Sequence, residues 1–129
     1  MRVLGILMMA IAALVFVAPS QAVEYRSFTS EAFAQAQAAG QPILVEVHAD
    51  WCPTCRAQAP AVRRAAAAPE FNELVIFTLD FDRQTSERRA LGVRAQSTLI
   101  AFNGRAETAR SVGETDPGRI GALLRTAIR

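Results

Sequence analysis

Two cysteines separated by two residues are the side chains in this sequence best suited to covalent chemistry. Cys52 and Cys55 lie within the run Trp51-Cys52-Pro53-Thr54-Cys55, and the 129 residues contain no other cysteine. Two thiols at this spacing can close a small disulfide and open it again by exchange with another thiol. A strand-like run ends just before the pair and helix-forming residues follow it, so we predict a redox couple at the first turn of a helix.

The position at a helix N-terminus should distinguish the two sulfurs. The first N–H groups of a helix lack partners and carry the positive end of its dipole, so they stabilise a nearby anion. We therefore predict that Cys52 has a lowered pKa and acts as the nucleophile. Cys55, one turn further on, should attack the mixed disulfide and resolve it. Pro53 removes one N–H donor and Thr54 adds a hydroxyl, so both are expected to tune the pKa.

Two other interpretations of the cysteine pair fit the residue types. A purely structural disulfide would close a very short loop and would stabilise the fold little. A zinc site needs four ligands, and beyond the two thiols the sequence offers one histidine, His48, and carboxylates. We therefore predict no metal site.

The segments around the cysteines follow the order β-α-β-α-β-α-β-β-α. The predicted strands cover residues 25–28, 43–47, 74–79, 98–102 and 107–112, and the predicted helices cover 31–40, 53–68, 84–91 and 117–128. Alternating strands and helices up to residue 79 predict parallel strand pairs with helices on both faces of the sheet. Asn103-Gly104 predicts an antiparallel hairpin beside them. The predicted fold class is α/β, with a central mixed sheet.

The first 22 residues have the pattern of a secretory signal peptide. Arg2 supplies a positive charge, residues 3–17 are almost continuously apolar, and small residues end the segment at Ala22. The apolar core of about 15 residues is shorter than the roughly 20 that span a bilayer. Cleavage after Ala22 would leave residues 23–129 as one domain, in the periplasm or secreted, without stable membrane insertion. Outside the cytosol a cysteine pair can be oxidised and cycled.

The charge pattern gives no sign of a nucleic-acid partner. The net charge is +2 and all 14 basic residues are arginines. The pairs Arg63-Arg64 and Arg88-Arg89 are isolated among alanines and acidic residues, whereas nucleic-acid-binding proteins cluster basic residues on one face. We therefore predict no nucleic-acid binding.

The motif and the order of the elements resemble the thioredoxin superfamily over essentially all of residues 23–129. The resemblance is carried by the strand and turn at 43–50, the cysteine motif, Pro60, Gly92-Val93-Arg94, Thr98-Leu99 and Val112-Gly113. The run Ala49-Asp50-Trp51-Cys52 is similar to exported thioredoxin-like reductases and to the C-terminal domain of membrane electron-carrying disulfide reductases. The resemblance implies a thioredoxin-like fold and the activity of a thiol–disulfide oxidoreductase.

The resemblance also implies roles for three side chains near the cysteines. Glu46 matches the buried acid beneath the active site of thioredoxins, where burial would raise its pKa and let it shuttle a proton for Cys55. An exposed strand end is the alternative for this glutamate. His48 stands where an aromatic is usual, and in its protonated form it would lower the pKa of Cys52, unless it is simply packed or solvated. Trp51 is expected to shield Cys52 and to contact partners.

The sequence departs from the family pattern just before the fourth predicted strand. Where the family has a cis proline facing the cysteines, this sequence has Gln96-Ser97-Thr98. A cis peptide bond without proline costs about 3 to 4 kcal/mol. A trans bond before Ser97, with a rearranged substrate-binding loop, is therefore an open alternative. We expect this run to contact substrate, with the main chain of Gln96 pairing with a bound peptide. The Ser97 hydroxyl could bond the Cys52 thiolate, which would raise the reduction potential.

The function predicted from these features is an exported oxidoreductase that reduces or exchanges protein disulfides. Cys52 attacks, Cys55 resolves, and Glu46 assists proton transfer. We predict no cofactor, because the chain has no cofactor-binding fold of its own, and a reductase would then need an electron donor, expected to be a membrane carrier. Two alternatives are a metal- or iron–sulfur-binding carrier that uses both thiolates with Ser97 giving access, and a non-catalytic interaction module.

Overall fold

The computed structural model describes residues 22–129, and their elements follow the predicted order with one short 3-10 helix added. The strands are β1 (Glu24–Ser27), β2 (Pro42–His48), β3 (Val75–Asp80), β4 (Thr98–Asn103) and β5 (Ala106–Val112). The helices are α1 (Ser30–Ala38), α2 (Pro53–Ala66), α3 (Thr85–Ala90) and α4 (Pro117–Arg125), and the 3-10 helix is Pro69–Phe71. The predicted signal segment, apart from its last residue, lies outside the described residues.

The five strands form one mixed sheet in the order β1-β3-β2-β4-β5. β1 and β2 both run parallel to β3, whereas β4 is antiparallel to β2 and β5 is antiparallel to β4. Parallel neighbours need long crossovers, which are supplied by the segments that contain α1 and α2. The predicted α/β class with a central mixed sheet is confirmed.

The central strand β2 separates two apolar layers. Leu44 points into the layer formed with α2 and α4, whereas Ile43 and Val45 point into the layer formed with α1. All three of these side chains are fully buried. A strand buried on both faces needs a continuous apolar run, and this is what residues 43–47 provide apart from Glu46.

Side-chain caps define where two of the helices begin. The hydroxyl of Thr29 accepts a hydrogen bond from the N–H of Ala32 at 3.1 Å, and α1 starts at the next residue. Asp116 accepts from the N–H of Arg119 at 2.9 Å in the same way, and α4 starts at Pro117. Each cap satisfies a donor that the helix itself leaves unpaired.

The hairpin between β4 and β5 turns one residue later than the sequence suggests. Asn103 is the last residue of β4 and pairs with Ala106, so Gly104 and Arg105 form the two-residue turn. Gly104 has φ +56°, and type II′ hairpins need glycine at this first turn position. The amide of Asn103 donates instead to the carbonyl oxygen of Arg129 at 2.6 Å.

We predict that Gly104→Ala lowers the free energy of unfolding by more than Gly92→Ala. Both glycines have positive φ, where adding a Cβ costs roughly 1–2 kcal/mol. A Cβ at Gly104 would in addition lie 3.3 Å from the Cα of Gly40, whereas at Gly92 it would meet nothing within 4 Å. Urea denaturation followed by circular dichroism measures both losses, and equal losses would contradict a role for the contact with Gly40.

Candidate active site

The sulfur of Cys52 caps the N-terminus of α2. Cys52 has the extended backbone of an N-cap residue (φ −84°, ψ 113°), and its Sγ accepts a hydrogen bond from the N–H of Cys55 at 3.2 Å. Pro53 occupies the first turn of the helix, where its missing N–H leaves no bond unmade. Only 2% of the surface of Cys52 is exposed, so the N–H of Cys55 acts on the sulfur with little competition from water.

The two thiols have opposite pKa shifts. Burial opposes the ionisation of Cys52, but hydrogen bonds from the Cys55 thiol, from the Ser97 hydroxyl and from the N–H groups of Cys55 and Thr54 outweigh it and lower the pKa of Cys52. Burial raises the pKa of Cys55, and its hydrogen bond with Cys52 raises that pKa further. This asymmetry is the one that a nucleophilic Cys52 and a resolving Cys55 require.

The hydroxyl of Ser97 contacts both sulfurs. Its Oγ lies 3.0 Å from the Sγ of Cys55 and 3.4 Å from the Sγ of Cys52, and Ser97 is 2% exposed. A hydroxyl has one proton to donate and lone pairs to accept, so it can accept from the Cys55 thiol while it donates to the Cys52 thiolate. The Ser97 hydroxyl can therefore form a hydrogen-bonded bridge between the two sulfurs.

The loop that carries Ser97 has a trans peptide bond and a left-handed residue. No peptide bond among residues 22–129 is cis, and Ser97 has φ +60°. Its N–H donates to the carbonyl of Val47 and its carbonyl accepts from the N–H of Gly113, both at 2.9 Å. The sequence alone allows either isomer before Ser97; in the structure the bond is trans, and these two hydrogen bonds hold the left-handed conformation of Ser97.

Gln96 and Thr98 flank Ser97 and differ in accessibility. Gln96 is half-buried, and neither its N–H nor its carbonyl has a hydrogen-bond partner among the described residues. Thr98 is buried, and its hydroxyl donates to the carbonyl of Ala95 at 2.7 Å. The main chain of Gln96 is thus free to pair with a ligand, while the substrate contact predicted for Thr98 stays a prediction.

Glu46 is a buried carboxyl on the central strand β2. It is 7% exposed, and its side chain makes no hydrogen bond to any residue that the structure describes. Burial raises its pKa, and the charges of His48 and Arg63 oppose the rise without cancelling it. The thiol of Cys55 points to the carbonyl of Val47, the next residue along β2, at 3.9 Å. The structure therefore places the acid one residue from the strand position that Cys55 faces.

His48 and Trp51 both lie at the edge of the site and bond to acidic residues. The Nε2 of His48 is 3.1 Å from Asp50 Oδ1, and among the described residues this is its side-chain partner. The indole N–H of Trp51 donates to Asp82 at 2.7 Å, and the ring is 57% exposed. These four side chains line an open cavity of about 410 Å³. The structure brings Trp51 to the surface beside Cys52, whereas it pairs His48 with Asp50.

Gln58 also lies inside the site, although no motif in the sequence marks it as a site residue. Its side chain is fully buried, and its Nε2 donates to the carbonyls of Ser97 at 3.1 Å and Glu114 at 2.8 Å. The signal in the sequence is a glutamine three residues after Cys55, on the same helix face, among alanines. Such a position normally takes an apolar side chain.

The geometry lends no support to a metal carrier. Within residues 22–129, no three histidine, cysteine, aspartate or glutamate side chains come together as a metal site would need. Both thiols are free, and each lies within hydrogen-bonding distance of the Ser97 hydroxyl. A helix-capping thiol beside a second, buried thiol is the arrangement of a dithiol–disulfide couple.

Comparison with known proteins agrees with this arrangement. The family model described as Thioredoxin matches residues 24–126. The chain belongs to the thioredoxin family. A thioredoxin of Chlamydia muridarum is 34% identical over 92 residues, which cover 71% of this chain and 87% of that protein. The crystal structure of Trxlp from Edwardsiella tarda matches with a TM-score of 0.76 and 39% identity, over 78% of this chain and 98% of that one.

Another thioredoxin-family relative combines two activities. The bifunctional thioredoxin reductase/thioredoxin of Mycobacterium leprae is 32% identical over 81 residues, 63% of this chain and 18% of that protein. Thioredoxins act on protein disulfides through a cysteine pair. The protein is therefore a thiol–disulfide oxidoreductase of thioredoxin fold, and Cys52 and Cys55 are its cysteine pair.

We predict that the two thiols react with iodoacetamide over different pH ranges. The alkylation midpoint of Cys52 should fall below about 8.5, the value of a free cysteine, and that of Cys55 above it. Cys55→Ser and Cys52→Ser isolate each thiol, because a serine hydroxyl keeps a hydrogen-bonding group next to the remaining sulfur. Mass spectrometry of the alkylated peptides gives both midpoints, and coincident or reversed midpoints would sink the assignment.

Glu46→Gln should slow catalysis and stabilise the fold at neutral pH. A carboxyl whose folded pKa is raised contributes stability that is fully present below its unfolded pKa and lost as the pH rises through the folded pKa. The glutamine stays neutral, so the variant should gain stability over wild type at neutral pH but not in acid. Loss of proton transfer should lower the rate of insulin reduction by about 10²-fold.

Glu73→Gln is the matched control for this variant, since Glu73 is an exposed glutamate outside the site. It should change neither the rate nor the dependence of urea stability on pH. If Glu46→Gln reduces insulin as fast as wild type, Glu46 is not the proton carrier.

Proposed function

We propose that this protein is an exported oxidoreductase that reduces, or exchanges, disulfides in proteins outside the cytoplasm. The observation that carries the proposal is the helix-capping Cys52 with its lowered pKa, placed beside a buried Cys55 and the hydroxyl of Ser97. Export rests on the signal-like pattern of the first 22 residues. Within residues 22–129, no helix is long and apolar enough to cross a membrane.

The reaction transfers two electrons from the cysteine pair to the substrate. The Cys52 thiolate attacks one sulfur of the substrate disulfide, and the other substrate sulfur leaves as a thiolate and takes up a proton. Cys55 gives its proton to the Glu46 carboxylate and attacks the Sγ of Cys52. This second step expels the remaining substrate sulfur as a thiolate, which takes up a proton from solvent, and leaves Cys52 and Cys55 joined as a disulfide.

Two features at the site, one exposed and one half-buried, suit a protein substrate. The ring of Trp51 offers an apolar surface next to the nucleophile, and its bond to Asp82 fixes its orientation. The free main-chain groups of Gln96 can pair with an extended peptide as one more short strand. A polypeptide that presents a disulfide near an apolar side chain therefore fits the site.

The hydroxyl of Ser97 adjusts the direction of the reaction. A hydrogen bond to a thiolate stabilises the reduced pair, so the reduction potential is less negative than it would be without the hydroxyl. Such a pair gives up its electrons less readily, which favours exchange over net reduction.

The oxidised pair needs two electrons from outside the chain to complete a cycle. The Mycobacterium leprae relative carries a thioredoxin reductase and a thioredoxin in one protein. For an exported chain the donor has to deliver electrons across or at the membrane, so we propose a membrane carrier with its own thiols.

Cys55→Ala should trap substrates as mixed disulfides through Cys52, because the resolving thiol is missing. The full chain is expressed in a bacterium with a periplasm. Acid stops thiol exchange, an alkylating agent then caps the free thiols, and adducts are purified from each cell fraction. We expect adducts in the periplasmic fraction, and a captured chain that starts at Val23.

The double variant Cys52→Ala, Cys55→Ala is the control and should yield no adducts. Failure to find any adduct that depends on Cys52 would count against an activity on protein disulfides. Adducts confined to the cytoplasmic fraction, with residues 1–22 retained, would overturn export alone.

A further inference from the structure

Gln58 ties together the two loops beside the cysteine pair. It lies on the buried face of α2, three residues after Cys55, and its side-chain amide donates both protons to main-chain carbonyls. One acceptor is Ser97, 39 residues away, and the other is Glu114, 56 residues away. The loop before β4 and the loop after β5 are therefore both fixed to the helix that carries Cys52 and Cys55.

The conformation of Ser97 depends on such restraints. A residue with a Cβ rarely adopts φ near +60°, so a left-handed serine persists only where its surroundings hold it. Three hydrogen bonds reach its main chain, from its N–H to Val47, from Gly113 to its carbonyl, and from Gln58 to the same carbonyl. Gln58 supplies the one side chain in this set, so a substitution there acts on the loop without altering the backbone.

Among the described residues, the amide oxygen of Gln58 makes no hydrogen bond that would explain a glutamine at this position, so its two N–H donors are the functional part of the side chain. Its Oε1 is buried and has no hydrogen-bond partner within residues 22–129. An unpaired buried oxygen is unfavourable, and an apolar side chain of the same shape would avoid it. Burying the unpaired oxygen of Gln58 is therefore unfavourable, and the two hydrogen bonds that its amide donates compensate for that cost.

We propose that Gln58 is a positioning residue that holds the Ser97 hydroxyl against both sulfurs and so sets the reduction potential of the pair. The inference rests on the proposed role of Ser97 as a donor to the Cys52 thiolate. Without the Gln58 bonds, only the bonds with Val47 and Gly113 restrain the main chain of Ser97, and the hydroxyl shifts away from its 3.0 and 3.4 Å contacts with Cys55 and Cys52. The reduced pair then loses a stabilising bond, and the potential becomes more negative.

Gln58→Met tests the proposal, because methionine has a similar length and no donor. Equilibration with glutathione should show the fraction of reduced pair falling, with a change of about tenfold in the equilibrium constant, or about 30 mV for this two-electron couple. The alkylation midpoint of Cys52 should rise in parallel. If Gln58→Met does not fold, Gln58→Leu repeats the test, since leucine has neither a donor nor a charge.

Val62→Ala is the control for a merely weakened helix. Val62 is fully buried on α2 and packs in the layer with α4, so its truncation destabilises the same helix while leaving the Gln58 bonds in place. Urea denaturation measures the free energy of unfolding of Gln58→Met and Val62→Ala, so that their potentials are compared at a known loss of stability. An equal shift in potential in Val62→Ala would overturn the positioning role.

Repeating Gln58→Met in a Ser97→Ala background separates the two proposals. With no hydroxyl to position, Gln58→Met should leave the potential where Ser97→Ala alone puts it. A full additional shift in that background, or no shift in the wild-type background, would refute the role of Gln58. If Ser97→Ala itself leaves the potential unchanged, the proposed role of Ser97 fails, while insulin reduction by the variant still reports on the oxidoreductase activity.

Discussion

The chemistry of this site depends on one hydrogen bond, from the N–H of Cys55 to the sulfur of Cys52 at 3.2 Å. A helix needs an acceptor for its first N–H groups, and most helices use a side-chain oxygen. Here the acceptor is also the nucleophile. A thiolate accepts more strongly than a thiol, so the same contact that begins α2 favours the ionised, reactive form of Cys52. Folding and activation of this cysteine are thus one event.

The sheet brings the remaining groups to that contact. β2 ends just before the cysteines, and β4 begins next to β2 because the two strands are antiparallel, so Ser97 arrives at the same edge. The carbonyl of Val47 contacts both Ser97 and Cys55: it accepts a hydrogen bond from the N–H of Ser97 at 2.9 Å, and the thiol of Cys55 points to it at 3.9 Å. The buried Glu46 precedes it in the same strand. A buried central strand therefore sets the spacing between Cys55 and Ser97 through the carbonyl of Val47.

Much of this could be predicted from local patterns in the sequence. The order of the elements follows from apolar runs and turn residues, and the caps at Thr29 and Asp116 are visible as polar residues before helical segments. The Asn103-Gly104 pattern predicts the turn one residue too early, because Asn-Gly is typical of one hairpin type and the chain uses another. Local signals identify a turn more reliably than its register.

The contacts that shape the site could not be read in this way, because they join distant parts of the chain. The bond from Gln58 to the Ser97 carbonyl spans 39 residues, and the two contacts of the Ser97 hydroxyl span 42 and 45. The absence of a proline indicated that the loop before β4 differs from its relatives. How it differs, with a left-handed serine held by a glutamine, depends on packing that no local pattern records.

Trp51 gives the molecule an optical property of its own. It is the single tryptophan of the chain, it precedes the nucleophile, and its indole is fixed to Asp82 while more than half of its surface faces solvent. Indole emission responds to the polarity of its surroundings and to quenching groups in contact with it. Every change of bonding at Cys52 takes place beside this one fluorophore, so the oxidation state of the protein can be followed by its intrinsic fluorescence without any attached label.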